Sequence, residues 1–299
     1  MDAFKRSLIL LLALAVGALA AGCGGGASGG KTFTLGSIGW NENIAVSTLT
    51  KVVMQDDLGY DEVQIKGPLE LGPLFDGVAS GDLQAFQDVW LPNHEQYLNE
   101  PQVKNNVEVL DPWYEGTTAY GIAVPDYMKN IQSLADLNHA GTDEITGIEP
   151  SAAFMPVIHD KVIPGYHLDM KLVESSTAAM LSELDRKYET REPIVFLAWS
   201  PHWMNTEYDF HYLDDPKGLE KPFSDPSRVT QIVNKDLQND DPQAYAFLKA
   251  ISLDEEQVNT IEAEINKAGA DGPEKGVRKW LEDNQDVVQP WVKAAKEAA

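Results

Sequence analysis

The sequence predicts an α/β protein built on parallel sheets, arranged as about two domains or as one domain in two lobes. Its 299 residues fit that number at roughly 150 residues per domain. Between Lys31 and Trp199, short apolar runs alternate with segments of helical periodicity, which is typical of β-α-β units. The run from Ile194 to Ala198 is apolar without alternation, as expected for a strand that is covered on both faces.

Each element is predicted from its local pattern. The helix over 43–57 carries Ile44, Leu49, Val52 and Val53 on one side and ends near Gly59. The same alternation predicts strands over 32–38, 63–65, 83–89, 144–148, 171–174 and 194–199, and helices over 71–79, 151–162 and 176–189.

Beyond residue 218 the chain is predicted to be mostly helical and charged. Ser252 and Glu255 have the spacing of a capping box, which predicts a helix over 252–265 that stops near Gly269. No solenoid repeat is expected.

Acidic residues dominate the charge, with 47 Asp and Glu against 23 Lys and Arg and a net charge of -24. Such a surface repels the phosphates of nucleic acids and anionic lipid headgroups, so both are poor partners. The single cysteine excludes internal disulfides and thiolate zinc clusters. The string that starts at His94 begins like a zincin motif, but Leu98 stands where the second histidine belongs, so no metal site is expected.

The first 22 residues are predicted to be a signal peptide. Lys5 and Arg6 precede an apolar run too short to span a bilayer as a helix, and small residues follow it. Cys23 then opens a glycine-rich linker over 23–30, which resembles the lipobox of bacterial lipoproteins, with Ala20 where that motif usually has leucine. We expect an exported protein with a lipid on Cys23, held on the outer face of the cytoplasmic membrane; an ordinary secreted protein is the alternative.

Three tryptophans suggest a ligand site. Trp40, Trp90 and Trp199 each lie at, or within two residues of, the carboxyl end of a predicted strand, where open parallel sheets bind their ligands. Converging indole faces suit a quaternary ammonium, which has no hydrogen-bond donors, and each contact contributes about 0.5–2 kcal/mol. The alternative is that these tryptophans only pack within the core.

Seven segments, in this order, resemble the glycine betaine, proline betaine and choline-binding proteins of ABC importers. The resemblance runs from about residue 31 to 218 and more weakly beyond. The segments are Gly39-Trp40-Asn41-Glu42-Asn43-Ile44-Ala45, Ala79-Ser80-Gly81-Asp82, Trp90-Leu91-Pro92-Asn93-His94, Gly147-Ile148-Glu149-Pro150, Val173-Glu174-Ser175-Ser176, Trp199-Ser200-Pro201-His202-Trp203 and Tyr212-Leu213-Asp214-Asp215-Pro216-Lys217-Gly218.

The resemblance implies a two-lobed, periplasmic-binding-protein-like fold of type II, with a hinge and a ligand cleft between the lobes. Lobe 1 would span 31–118 and 217–299, and lobe 2 would span 119–216. The chain would cross between them near Tyr120 and Asp215, and closure of the two lobes would trap the ligand.

The same resemblance implies roles for single residues. Trp40, Trp90 and Trp199 would surround the trimethylammonium group. His94 would bind the ligand carboxylate, although its spacing from Trp90 is one residue shorter than in betaine binders; the alternative is that His94 caps a turn. The backbone amides of Ala153 and Phe154 would bind the same carboxylate at the start of a helix capped by Ser151.

Two further residues concern the choice of ligand. Tyr120 matches a tyrosine that completes the cage in choline binders, and Glu42 matches an acidic residue near the cation in those proteins. Glu42 could instead cap the helix that starts near Asn43.

These observations predict a monomeric substrate-binding protein without catalytic residues or cofactor. It would capture glycine betaine or a related quaternary ammonium solute and deliver it to an ABC permease and its ATPase. A choline-specific binding protein is the alternative. An exported choline-ester hydrolase is less favoured, because no nucleophile beside a base is visible in the sequence.

Overall fold

The computed structural model describes residues 30–221, 223–269 and 272–299, so the predicted signal peptide and Cys23 lie outside the described residues. Two five-stranded sheets form the framework. The first sheet contains β1 (Thr32–Gly36), β2 (Glu62–Lys66), β3 (Ala85–Leu91), β4 (Val107–Val109) and β10 (Arg228–Asn234). The second contains β5 (Ala119–Pro125), β6 (Glu144–Thr146), β7 (Lys171–Val173), β8 (Val195–Ser200) and β9 (Phe210–Tyr212).

Both sheets are mixed. In the first, with order β2-β1-β3-β10-β4, β1 runs parallel to β2 and β3, while β10 runs antiparallel to β3 and β4. In the second, with order β7-β6-β8-β5-β9, β6 runs parallel to β7 and β8, while β5 runs antiparallel to β8 and β9. The prediction of an α/β fold with β-α-β units is therefore confirmed, with antiparallel strands added to each sheet.

Helices cover the sheets, and the largest apolar side chains are buried beneath them. The α-helices on the side of the first sheet are α1 (Asn41–Asp57), α2 (Leu71–Ser80), α3 (Glu95–Leu98), α4 (Pro101–Asn106), α9 (Leu237–Asp240), α10 (Pro242–Ala250), α11 (Glu255–Ala268), α12 (Pro273–Asp283) and α13 (Gln285–Ala298). Those on the side of the second sheet are α5 (Met155–Val157), α6 (Ile163–Tyr166), α7 (Thr177–Thr190) and α8 (Met204–Glu207), with a 3-10 helix over Leu134–His139 and a π-helical turn over Ile158–Val162.

The described chain beyond residue 218 is mostly helical, as predicted, but it also contains strand β10, which the sequence did not predict. The central residues of this strand are buried, but two of them, Thr230 and Gln231, are polar. They interrupt the run of apolar residues by which a strand covered on both faces is predicted from sequence. Both find partners: the Thr230 hydroxyl donates to the carbonyl of Leu110, and the Gln231 amide donates to the carbonyl of Leu248 at 2.7 Å. Tertiary hydrogen bonds therefore make a polar strand compatible with the core.

The start of α11 also differs from the prediction. The helix begins at Glu255, and the capping box joins Asp254 to Gln257 rather than Ser252 to Glu255. The Ser252 hydroxyl instead donates to the carboxylate of Glu115. The predicted capping box of Ser252 and Glu255 is therefore not formed.

The chain passes between the two sheets twice, once between β4 and β5 and once between β9 and β10. The two connecting segments are bonded to each other at Thr118 and Ser227. The Ser227 amide donates to the Thr118 hydroxyl at 2.6 Å, and that hydroxyl donates to the Ser227 carbonyl at 3.1 Å. Before it reaches Ser227, the returning segment still contacts the second-sheet side, because Glu220 accepts from the amide of Ile122.

We expect Gly276→Ala to destabilise the protein. Gly276 lies where α12 packs against α11, and an added Cβ atom would lie 2.5 Å from backbone atoms of Ile265. Because backbone cannot yield as a flexible side chain does, the free energy of unfolding should fall by about 1–3 kcal/mol in urea denaturation.

Gly72→Ala in α2 is the matched control, because no atom lies within 4 Å of the added methyl group. Alanine favours a helix more than glycine, so this variant should be unchanged or slightly more stable. Equal stabilities of the two variants would contradict the close helix contact at Gly276.

Candidate functional site

A cavity lined by nine described residues lies between the two sheets. Five of its residues come from the first-sheet side and four from the second-sheet side. They are Trp40, Glu42, Trp90, Asn93 and His94 from the first, and Tyr120, Ile148, Ala153 and Trp199 from the second.

The ends of strands position the aromatic walls. Trp90 and Trp199 are the penultimate residues of β3 and β8, and Tyr120 in β5 lies opposite Trp199 in the antiparallel register. Trp40 lies beyond the end of β1, at the N-cap position of α1. The structure therefore brings the three predicted tryptophans and the predicted tyrosine into one cavity.

Each of the three indole N–H groups donates to a carboxylate. The Nε1 atom of Trp90 lies 2.8 Å from Oδ1 of Asp88, two residues earlier in the same strand. The corresponding distances are 3.0 Å from Trp40 to Oε2 of Glu149 and 3.0 Å from Trp199 to Oε2 of Glu42. Because all three indole nitrogens are occupied, a ligand in the cavity can meet only the faces and carbon edges of these rings.

The side chain of Glu42 lines the cavity and does not cap α1. The helix begins at Asn41 with Trp40 at the N-cap position and no side-chain capping bond, so the capping alternative for Glu42 is wrong. The carboxyl group is fully buried, and its Oε1 atom has no hydrogen-bond partner among the described residues. Burial raises the pKa of Glu42 to about 8, and the negative charge of Glu149 adds to this shift.

His94 is a neutral hydrogen-bond donor. Its ring is buried, and burial lowers the pKa of His94 to about 3. The Nδ1 atom accepts the backbone N–H of Trp90 at 3.1 Å, so the proton of the neutral ring resides on Nε2. His94 thus fixes the turn after β3, as the capping alternative supposed, and keeps one N–H group for another acceptor.

The segment predicted to start a helix at Ser151 is a turn. The first residue of α5 is Met155, and the Ser151 hydroxyl has no partner among the described residues, so the prediction that Ser151 is an N-cap is wrong. Within the same described part of the chain, no acceptor takes the backbone N–H of Ala153 or Phe154. Ala153 lines the cavity, whereas the Phe154 side chain packs on Tyr120 with ring centroids 4.8 Å apart.

The sequence-based prediction missed Asn93, Asp88 and Glu149. Asn93 lines the cavity, is 6% exposed, and has no partner for either its amide oxygen or its amide nitrogen among the described residues. Asn93 and Glu149 belong to two of the seven segments that resemble the family, so the sequence did contain a signal for these two residues. No sequence pattern marked Asp88. Its role as the acceptor of the Trp90 indole N–H depends on the direction in which that ring points.

The described residues that line the cavity include a glutamate but no lysine or arginine. The electrostatics of the cavity therefore favour a cation, or a zwitterion whose anionic end meets neutral donors. Within residues 30–221, 223–269 and 272–299, no group of histidine, cysteine and acidic residues could hold a metal ion.

Comparison with known proteins gives the family. The model of the substrate-binding domain of ABC-type glycine betaine transport systems matches residues 31–283. This chain belongs to that family. The resemblance found in the seven segments is therefore confirmed, and the family consists of extracytoplasmic binding proteins of transporters. Among the described residues, no helix combines the length and the apolar character that crossing a membrane requires.

Individual members of the family support the same assignment. The glycine betaine/carnitine transport binding protein GbuC of Listeria monocytogenes is 37% identical over 159 residues, which cover 52% of this chain. That match spans 51%, or about half, of the relative's length.

Solved structures of family members share the fold. Lactococcal OpuAC, in its closed conformation with glycine betaine, is 30% identical with a TM-score of 0.76, and the match covers 88% of this chain and 99% of OpuAC. An ABC-transporter choline-binding protein in complex with choline, at 24% identity, has a TM-score of 0.77 over 89% of this chain and 97% of its own. The predicted two-lobed fold of type II is thereby confirmed.

The buried carboxyl group of Glu42 predicts a pH-dependent stability. The folded protein holds this proton up to about pH 8, whereas the unfolded chain releases it near 4.5. Between these values the folded state binds more protons, so the free energy of unfolding falls as the pH rises and levels off above the window. In Glu42→Gln this fall should shrink by up to about 1.4 kcal/mol per pH unit.

Urea denaturation of the wild type and the variant, at about pH 5.5, 7.0 and 8.5, measures this difference. The matched control is Glu144→Gln, because Glu144 is exposed on β6. It should keep the wild-type slope. Parallel slopes for the wild type and Glu42→Gln would show that Glu42 is already ionised in the folded protein.

Proposed function

We propose that this chain captures glycine betaine, or a related quaternary ammonium solute, for an ABC importer. The observation that carries the proposal is the cavity in which Trp40, Trp90, Trp199 and Tyr120 meet from both sheets. Three indole faces at about 0.5–2 kcal/mol each contribute several kcal/mol toward a cation that cannot donate hydrogen bonds. Together with apolar burial, this supports micromolar affinity, at about -8 kcal/mol.

The polar end of the ligand would bind neutral donors. Among the described residues, no acceptor is recorded for Nε2–H of His94, for the side-chain amide of Asn93, or for the backbone amides of Ala153 and Phe154. A carboxylate that accepted these hydrogen bonds would satisfy groups that are otherwise costly to bury. This set of donors favours glycine betaine as the ligand.

Choline is the second candidate, and Glu42 is the observation that favours it. Its unpartnered Oε1 atom in the cavity could accept the hydroxyl of choline, and its negative charge, once ionised, would balance a ligand that carries no anion of its own. A competition titration with glycine betaine, proline betaine, carnitine and choline ranks these ligands.

We also propose where the two lobes divide and that they close around the ligand. Lobe 1 consists of the first sheet with its helices, and lobe 2 of the second sheet with its helices. The bonded pair Thr118 and Ser227 would form the hinge. The first crossing would then lie near residue 118, close to its position in the sequence-based prediction. The contact from Ile122 to Glu220 supports a second crossing near Ser227 rather than at Asp215.

We further propose a location and transport partners for the protein, on the basis of the family and of the predicted signal peptide. Cys23 would carry a lipid that holds the monomeric protein on the outer face of the membrane, next to the permease and its ATPase. The protein would act on no bond of its ligand. In support, none of the described residues that line the cavity is a serine, threonine or cysteine that could serve as a nucleophile.

Trp90→Ala should weaken the binding of glycine betaine at least about tenfold, because it removes one wall of the aromatic cage. Isothermal titration calorimetry measures the change. The control is Trp280→Ala, which removes a buried indole that does not line the cavity. This control should lower stability and leave the affinity of the folded protein within about twofold of the wild type. Wild-type affinity in Trp90→Ala would contradict the cage.

His94→Ala should weaken glycine betaine binding by about tenfold or more and choline binding by less than about threefold, because choline has no carboxylate to accept Nε2–H. The matched control is His202→Ala. His202 is also buried and also accepts a backbone N–H on Nδ1, from Met204, but it does not line the cavity. Equal losses for both ligands in His94→Ala would mean that His94 does not hold the carboxylate.

A further inference from the structure

Two of the three indole–carboxylate hydrogen bonds run between the lobes, and they run in opposite directions. Trp40 of lobe 1 donates to Glu149 of lobe 2, and Trp199 of lobe 2 donates to Glu42 of lobe 1, both at 3.0 Å. The third bond, from Trp90 to Asp88, lies within β3 and thus within one lobe. Separation of the lobes would break the first two bonds and leave the third intact.

Glu149 is held in place by its own lobe. Its Oε1 atom accepts the backbone N–H of Thr177 at 2.8 Å, and its Oε2 atom accepts the Thr177 hydroxyl at 2.8 Å. Thr177 is the first residue of α7, a helix of 14 residues, whose N-terminus favours a negative charge. The carboxylate is therefore an ordered acceptor in lobe 2 whether or not Trp40 is present.

Glu149 does not line the cavity, whereas Glu42 does. A substitution of Glu42 would change both the wall of the site and the bond between the lobes. A substitution of Glu149 would change the bond alone. Of the two carboxylates, Glu149 is thus the one whose effect on the Trp40 ring can be measured separately from ligand contact.

We infer that Glu149 is a positioning residue, which fixes the Trp40 indole across the interface and so retains the bound ligand. It acts only in the closed arrangement, because the open lobes separate it from Trp40. The inference rests on the proposed function, since it assumes that the lobes close on a quaternary ammonium ligand. Glu149 thus slows the release of the ligand and does not itself contact the ligand.

The rates of binding distinguish this role from a general structural one. Loss of a bond that exists only in the closed complex raises koff, while kon, which depends on the open state, changes little. In stopped-flow tryptophan fluorescence with glycine betaine, Glu149→Ala should raise koff about tenfold and leave kon within about twofold. Glu149→Gln, which keeps one acceptor oxygen, should restore part of the slow release.

Thr177→Val removes one of the donors that hold Glu149 and is the second variant if Glu149→Ala folds poorly. It should raise koff about threefold, again with little change in kon. The matched control is Glu144→Gln, which removes an exposed carboxylate from the same lobe and should bind and release the ligand like the wild type. Thermal unfolding of each variant shows whether a change in koff is separate from a change in stability.

A double-mutant cycle tests whether Glu149 acts through the indole N–H. Trp40→Phe removes that N–H group, so adding Glu149→Ala to it should raise koff no further. Additive effects in the cycle, or a koff of Glu149→Ala within about twofold of the wild type, would overturn the inference. Binding of glycine betaine and choline to the wild type is measured first, and its absence would count against the proposed function instead.

Discussion

The hydrogen bond from an indole N–H group to a carboxylate is the interaction on which the site depends. A tryptophan ring offers a cation its face, so it must be held at a fixed angle to be useful. At Trp40, Trp90 and Trp199 a carboxylate lies 2.8–3.0 Å from the ring nitrogen and supplies that constraint. The Trp90 ring, whose partner lies in the same strand, is thereby ordered during folding, whereas the Trp40 and Trp199 rings gain their partners from the other sheet.

The same bonds give the site an uneven charge distribution. Carboxyl groups lie behind or beside the aromatic walls, and none of the described residues that line the cavity is a lysine or an arginine. Burial raises the pKa values of Glu42 and Asp88, which limits the repulsion between these acidic groups when no cation is present. At the other end, His94 and Asn93 offer neutral donors, which suit the anionic part of a zwitterion.

The fold follows from covering two sheets with helices and joining them by two adjacent segments. Since strand ends from both sheets meet at one cavity, any relative movement of the sheets changes the distances among its walls. In the proposed closure, the bonded pair Thr118 and Ser227 would act as the hinge. Closure as proposed would therefore couple to ligand contact through geometry.

The sequence by itself determined the α/β class, the family and most of the cavity lining, because apolar periodicity and contiguous motifs are local properties. It did not determine β10, whose buried Thr230 and Gln231 depend on distant acceptors, nor the turn at Ser151, where a local capping pattern was overruled by packing. Only the tertiary structure decided which carboxylate each indole meets. Those partners, such as Glu149 for Trp40, lie up to 157 positions apart in the chain, and no local pattern encodes the direction of a side chain.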